Sequence, residues 1–149
     1  MRLRAAAVAV VAAAATIAGC GGSSRLSSGD LRNQATQICA LATKQTDRIK
    51  SPTSPAGSAV FLRQGITAVT PELAQLRKLR PPSDAQDVYA TAVNSSAKKL
   101  ALLRAAAGQL GRGDDPVSTM QSLEQQLAPV VQQENGAWQS LGIPACVDH

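Results

Sequence analysis

From Ser28 onward, apolar side chains recur every three or four residues in four runs separated by proline- and glycine-rich breaks. That spacing is the signature of amphipathic helices. The first run covers about Asp30 to Lys50, with Leu31, Ala35, Ile38, Ala42 and Ile49 on one stripe and Cys39 beside it. The second covers about Pro55 to Leu79, where Leu62, Ile66, Val69, Leu73 and Leu76 step by four and three. Ser54 is its expected cap. Pro71 falls inside it, and proline removes a backbone donor, so a kink or a junction of two helices is expected near Thr70. Ser83, with Gln86 three residues on, matches a capping box for the third run. Its stripe is Tyr89, Val93, Ala97, Leu100, Leu103, Ala107 and Leu110, and Gly108, Gly111 and Gly113 are its expected stop. Asp115-Pro116 opens the fourth, with Asp115 as cap and proline at the first helical position. There Met120, Leu123, Leu127, Val130, Trp138 and Leu141 face inward, and Pro129 is expected to bend the helix. Short connections between four such segments predict an all-α, up-down-up-down four-helix bundle over residues 30–149.

The first 29 residues follow a different logic. Arg2 and Arg4 precede a charge-free apolar run of thirteen residues, Ala5 to Ile17, and then Ala18, Gly19 and Cys20. A basic start, a short apolar core and small residues form a secretory signal peptide, here residues 1–19. The run falls short of the roughly 20 apolar residues that span a bilayer. Residues 20–29 are mostly Gly and Ser, a composition that cannot bury enough surface to order itself. They read as a tether with a root-mean-square span of roughly 15–18 Å.

Ile17-Ala18-Gly19-Cys20 resembles the lipobox of bacterial lipoproteins. The resemblance implies that the Cys20 thiol carries diacylglycerol and that the chain is cut between Gly19 and Cys20. It also implies that the domain sits on the extracytoplasmic face of the cell membrane. Each buried methylene contributes about 0.8 kcal/mol, so the two acyl chains of one diacylglycerol hold where a single chain binds only marginally. With Cys20 so occupied, Cys39 and Cys146 remain, and an exported chain meets an oxidising compartment. A Cys39–Cys146 disulfide is therefore expected, the alternative being two free buried thiols. In an up-down-up-down bundle the start of the first helix and the end of the fourth share one end. A tail doubling back from Gly142 is then within reach of Cys39.

The domain also resembles a loose group of small exported actinobacterial helical proteins. The likeness rests on Ile38-Cys39-Ala40-Leu41-Ala42, on Leu76-Arg77-Lys78-Leu79-Arg80-Pro81-Pro82 and on Leu141-Gly142-Ile143-Pro144-Ala145-Cys146. It supports the fold and implies no activity.

Composition narrows the chemistry. Alanine supplies 27 of 149 residues while aromatics are only one Phe, one Trp and one Tyr, which suits close-packed helices and not a β-sandwich. The formal charge of +5 includes Arg2 and Arg4, so the chain from Cys20 onward carries 13 basic and 10 acidic side chains. That excess is too small and scattered to indicate nucleic acid. Arg77, Lys78 and Arg80 read as complements to a helix dipole rather than a phosphate site. The one histidine, His149, is terminal, so no triad base and no His-rich metal site is expected. No catalytic residue, metal or cofactor other than the lipid on Cys20 is expected. Glu134 alone breaks a stripe, between Val130 and Trp138. It reads as an edge residue with its carboxylate in water, the alternative being a small cleft lined by Glu134 and Trp138. The expected function is a non-catalytic binding module for a small apolar molecule or an envelope partner. The alternative is a structural or accessory envelope protein acting through a protein surface. The oligomeric state is left open.

Overall fold

The structure, a computed structural model, describes residues 24–147. Four α-helices account for most of them: α1 (Ser28–Thr46), α2 (Ser58–Leu76), α3 (Gln86–Gly111) and α4 (Pro116–Ser140). Short 3-10 turns occupy Pro55–Gly57, Ser83–Ala85 and Pro144–Cys146. The pairs Tyr89–Trp138 and Ser96–Glu134 set α3 and α4 antiparallel, and Tyr89–Leu76 with Arg104–Thr70 do the same for α2 and α3. The all-α bundle is thus the observed architecture.

The helix starts follow side-chain chemistry, not always at the expected residue. Ser27 caps α1, its Oγ accepting from the Asp30 amide at 3.1 Å. Ser28 and Gly29, expected in the tether, are therefore helical. The tether is also shorter on its fold side, because the Leu26 amide donates to the Arg80 carbonyl and the Arg25 guanidinium donates to Gln86 Oε1 at 2.8 Å. That last contact explains why the capping box at Ser83 does not form: Gln86 is engaged elsewhere, and Ser83–Ala85 is a 3-10 turn without a side-chain cap. Ser54 makes no cap bond either, and Gly57 precedes α2. Asp115 does cap α4, accepting from the Ser118 amide at 2.9 Å, which lowers its carboxyl pKa.

Neither internal proline breaks its helix. Pro71 lies within α2 and Pro129 within α4, and both helices run through them. Gly108 and Gly111 are also helical, and only Gly113, at φ +92°, terminates α3. The end of α4 is a Schellman stop. Ile143 N donates to Trp138 O at 3.0 Å and Gly142 N to Gln139 O at 2.9 Å, with Gly142 at φ +68°.

The core has two parts. The larger gathers Leu31, Ala35, Cys39, Leu76, Ala92, Trp138 and Ile143 at the end where α1 and α3 begin and α2 and α4 finish. Cys39 is wholly buried within the α1 stripe, not beside it. The smaller, around Leu62, Ala106 and Leu123, lies at the opposite end. Alanines at 35 and 92, both 0% exposed, let the helices approach closely.

α1 packs on α2 and on the Pro144–Cys146 turn. The tail after Gly142 therefore closes the bundle on that side. Cys39 and Cys146 form the expected disulfide, with Cα atoms 5.1 Å apart and a sequence separation of 107.

Candidate functional site

Trp138 and Glu134 do not line a common cleft. Trp138 is 0% exposed and packs edge-to-face on Tyr89, with centroids 5.8 Å apart. Its Nε1 has no hydrogen-bond partner among the described residues, and nothing in the structure explains that. The Tyr89 hydroxyl donates to the Leu76 carbonyl at 2.7 Å, and burial pushes its pKa well above the ordinary value.

Glu134 is not an edge residue. It is 1% exposed and sits inside the α4 stripe between Val130 and Ala137. Its carboxylate accepts from Ser96 Oγ at 2.6 Å and pairs with Lys99 Nζ at 2.8 Å. Both partners come from α3, one turn apart, so they face the same point on α4. Glu72, 8% exposed on α2, lines the same small void as Ser96, Lys99 and Glu134. A void of about 10 Å³ leaves room for one water and no substrate. This cluster joins α2, α3 and α4 internally. The carboxylate is held in place by a cation and a hydroxyl, as a buried charge must be.

The open site is elsewhere, at the end of the bundle where α2 and α4 begin. A cleft of about 400 Å³ opens there between the Pro55–Gly57 turn, α2 and the first turns of α4. Phe61, Leu62, Leu103, Met120, Leu123 and Leu127 make its walls, with Val117, 50% exposed, at the mouth. Its polar groups are few: Ser58, Gln121 and Glu124. Convergent apolar walls with a few polar groups are the usual make-up of a small-molecule site, and the volume falls in the range of about 300–1,000 Å³. Two surface depressions of similar volume flank α1, but glutamines and basic side chains contribute much of their lining.

Two helix starts line the cleft. The loop after α1 carries the chain to Pro55, and Pro55 before α2 and Ser58 at its start face Pro116 and Val117 at the start of α4 across it. The smaller core of Leu62, Ala106 and Leu123 lies at this end. The cleft walls hold the only Phe of the chain and the only Met besides Met1. Those two residues, six positions after Pro55 and four after Pro116, were the available sequence signal.

Among the described residues no group of three or more His, Cys, Asp or Glu side chains is placed to hold a metal, and no helix is long and apolar enough to cross a membrane. Cys20 and His149 lie outside the described residues. No protein-family model, curated protein or solved structure matches the chain.

Proposed function

We propose that this chain is a lipid-anchored extracytoplasmic binding module that holds a small apolar molecule in the cleft between α2 and α4. The cleft itself carries the reading: about 400 Å³ of open space walled by Phe61, Leu62, Leu103, Met120, Leu123 and Leu127. Apolar walls left facing water have no structural benefit, whereas a ligand that covers them gains about 25 cal/mol per Å² of apolar area.

The anchor is the sequence reading of Cys20, and the fold is compatible with it. The chain joins the bundle at Arg25 and Leu26, against the turn that follows α2. The cleft is at the other end of α2, a helix of 19 residues, so it stands on the order of 25–30 Å from that point. A module tethered through Cys20 would present the cleft away from the headgroups. Cys20 precedes Arg25 by five positions, fewer than the expected tether of residues 20–29. The choice of binder over enzyme rests on the sequence, which offers no internal histidine, and on the burial of Glu134 against Lys99 and Ser96.

Titration with a polarity-sensitive naphthalene dye tests the binding site. One saturable equivalent is expected for the native protein. Val117→Trp, which places a large side chain at the mouth, is expected to weaken binding at least tenfold without lowering the melting temperature. No binding, or equal binding by both proteins, contradicts the reading. Cys20→Ser tests the anchor separately: the protein is expected to leave the membrane fraction.

A further inference from the structure

Resting on the cleft reading above, we infer that the ligand is an uncharged amphiphile, an apolar chain bearing one hydrogen-bond acceptor such as an ester or ketone carbonyl, with that acceptor seated on the Ser58 hydroxyl. Ser58 is the first residue of α2 and only 5% exposed, yet it lines the cleft. Among the described residues its side chain forms no hydrogen bond, and Gly57, which precedes it, has no side chain to cap the helix. The hydroxyl of Ser58 is not among the solvent-excluded polar atoms, and a hydroxyl in the lining with no partner among the described residues offers a donor to whatever enters the cleft. The α2 N-terminus reinforces the sign. Its first turn contains no acidic side chain, so the positive end of the helix dipole also favours an acceptor beside Ser58.

Charge sets the other limit. Glu124 is the one ionisable residue in the lining, and it is exposed. An anionic ligand would exchange its hydration for apolar walls and a like charge at the rim. A cationic ligand would meet only a hydrated carboxylate, and such exposed pairs contribute little. Gln121, exposed beside Glu124, can solvate a neutral polar group in either hydrogen-bonding sense. The balance selects a neutral molecule over a fatty acid or a quaternary amine.

The test uses four ten-carbon probes: methyl decanoate, decane, decanoate and decyltrimethylammonium. The readout is methionine-methyl carbon NMR of the full chain. The chain has two methionines, Met1 and Met120, and Met120 is a wall of the cleft, so its resonance reports occupancy. Methyl decanoate is expected to shift the Met120 signal saturably and to bind at least tenfold tighter than decanoate or decyltrimethylammonium at pH 7. Ser58→Ala is expected to weaken methyl decanoate about two- to tenfold, the range of one neutral hydrogen bond, and to leave decane unchanged. Because no described residue is hydrogen-bonded to the Ser58 side chain, this variant is expected to keep the native melting temperature. Equal or tighter binding of either charged probe, or indifference to Ser58→Ala, overturns the neutral-ligand inference while the cleft stands as a binding site. If none of the four probes moves Met120, the binding-site reading fails and the ligand class with it.

Discussion

Glu134 shows how much a single side chain depends on its neighbours. On its own helix it is an interruption, and a carboxylate between Val130 and Ala137 would ordinarily turn to water. Ser96 and Lys99 on α3 supply a hydroxyl at 2.6 Å and an ammonium at 2.8 Å, and the residue is buried instead. Nothing along α4 could reveal those partners, because they lie 38 and 35 positions away in sequence and meet it only in the antiparallel register. Buried pairs tend to be costly to break and cheap to replace. Lys99→Met is thus expected to destabilise the fold toward the lower end of about 3–5 kcal/mol, since Lys99 keeps 15% of its side chain in solvent. The double variant Lys99→Met, Glu134→Leu is expected to recover most of that loss in urea unfolding. A recovery of less than half means the pair contributes beyond mutual neutralisation. Tyr89 gives a pH signature of opposite origin. Burial keeps its phenol protonated in the fold, whereas the unfolded phenol ionises near pH 10. Stability from this group is therefore full below about pH 10 and falls as the pH rises further. Tyr89→Phe is expected to flatten that alkaline limb of the melting curve while costing about 1 kcal/mol at neutral pH for the lost bond to Leu76.

The helices were legible where local chemistry acts alone. The four stripes, the Asp115 cap and the Gly142 stop all depend on residues within a turn of one another. Where the signal depended on a distant group, local reading failed. Ser83 and Gln86 have the right spacing for a capping box, but Gln86 is taken by Arg25, 61 positions earlier. Pro71 removes an amide without breaking α2, because the helix is held on both sides of it by packing of Leu62, Leu73 and Leu76. α1 is the element most dependent on covalent help. It packs on α2 and on the Pro144–Cys146 turn, and the Cys39–Cys146 bond fixes the latter contact. Closing a loop of 107 positions is worth up to about 4.7 kcal/mol in chain entropy, and losing a native disulfide from a small domain typically costs about 2–5 kcal/mol. Cys146→Ser is expected to cost an amount in that range. It should also raise amide exchange in α1 more than in α3 or α4, as followed by hydrogen–deuterium exchange. Uniform loss of protection across all four helices would contradict this assignment of α1.

At the scale of the whole molecule the bundle is asymmetric along its length. One end contains Trp138, Tyr89, Ile143 and the disulfide, all enclosed, and receives the chain at Arg25 and Leu26. The other carries a smaller core and an open apolar cleft. The sequence stripes describe which face of each helix turns inward, but not which helix ends come together, and the cleft lies where the starts of α2 and α4 do. This is why the open cleft went unseen, while Glu134 and Trp138, the alternative lining of a small cleft, are both enclosed. The account joins a covalent anchor at one end to a ligand-holding cleft at the other. Native mass spectrometry of the protein gently extracted from its own membrane tests both together. The predicted mass is that of a chain beginning at Cys20 with diacylglycerol attached and two hydrogens missing for the Cys39–Cys146 bond, plus a non-covalent apolar adduct that is absent from Val117→Trp. A chain that retains residues 1–19, or one that begins at an unmodified Cys20 and carries no adduct, would contradict it.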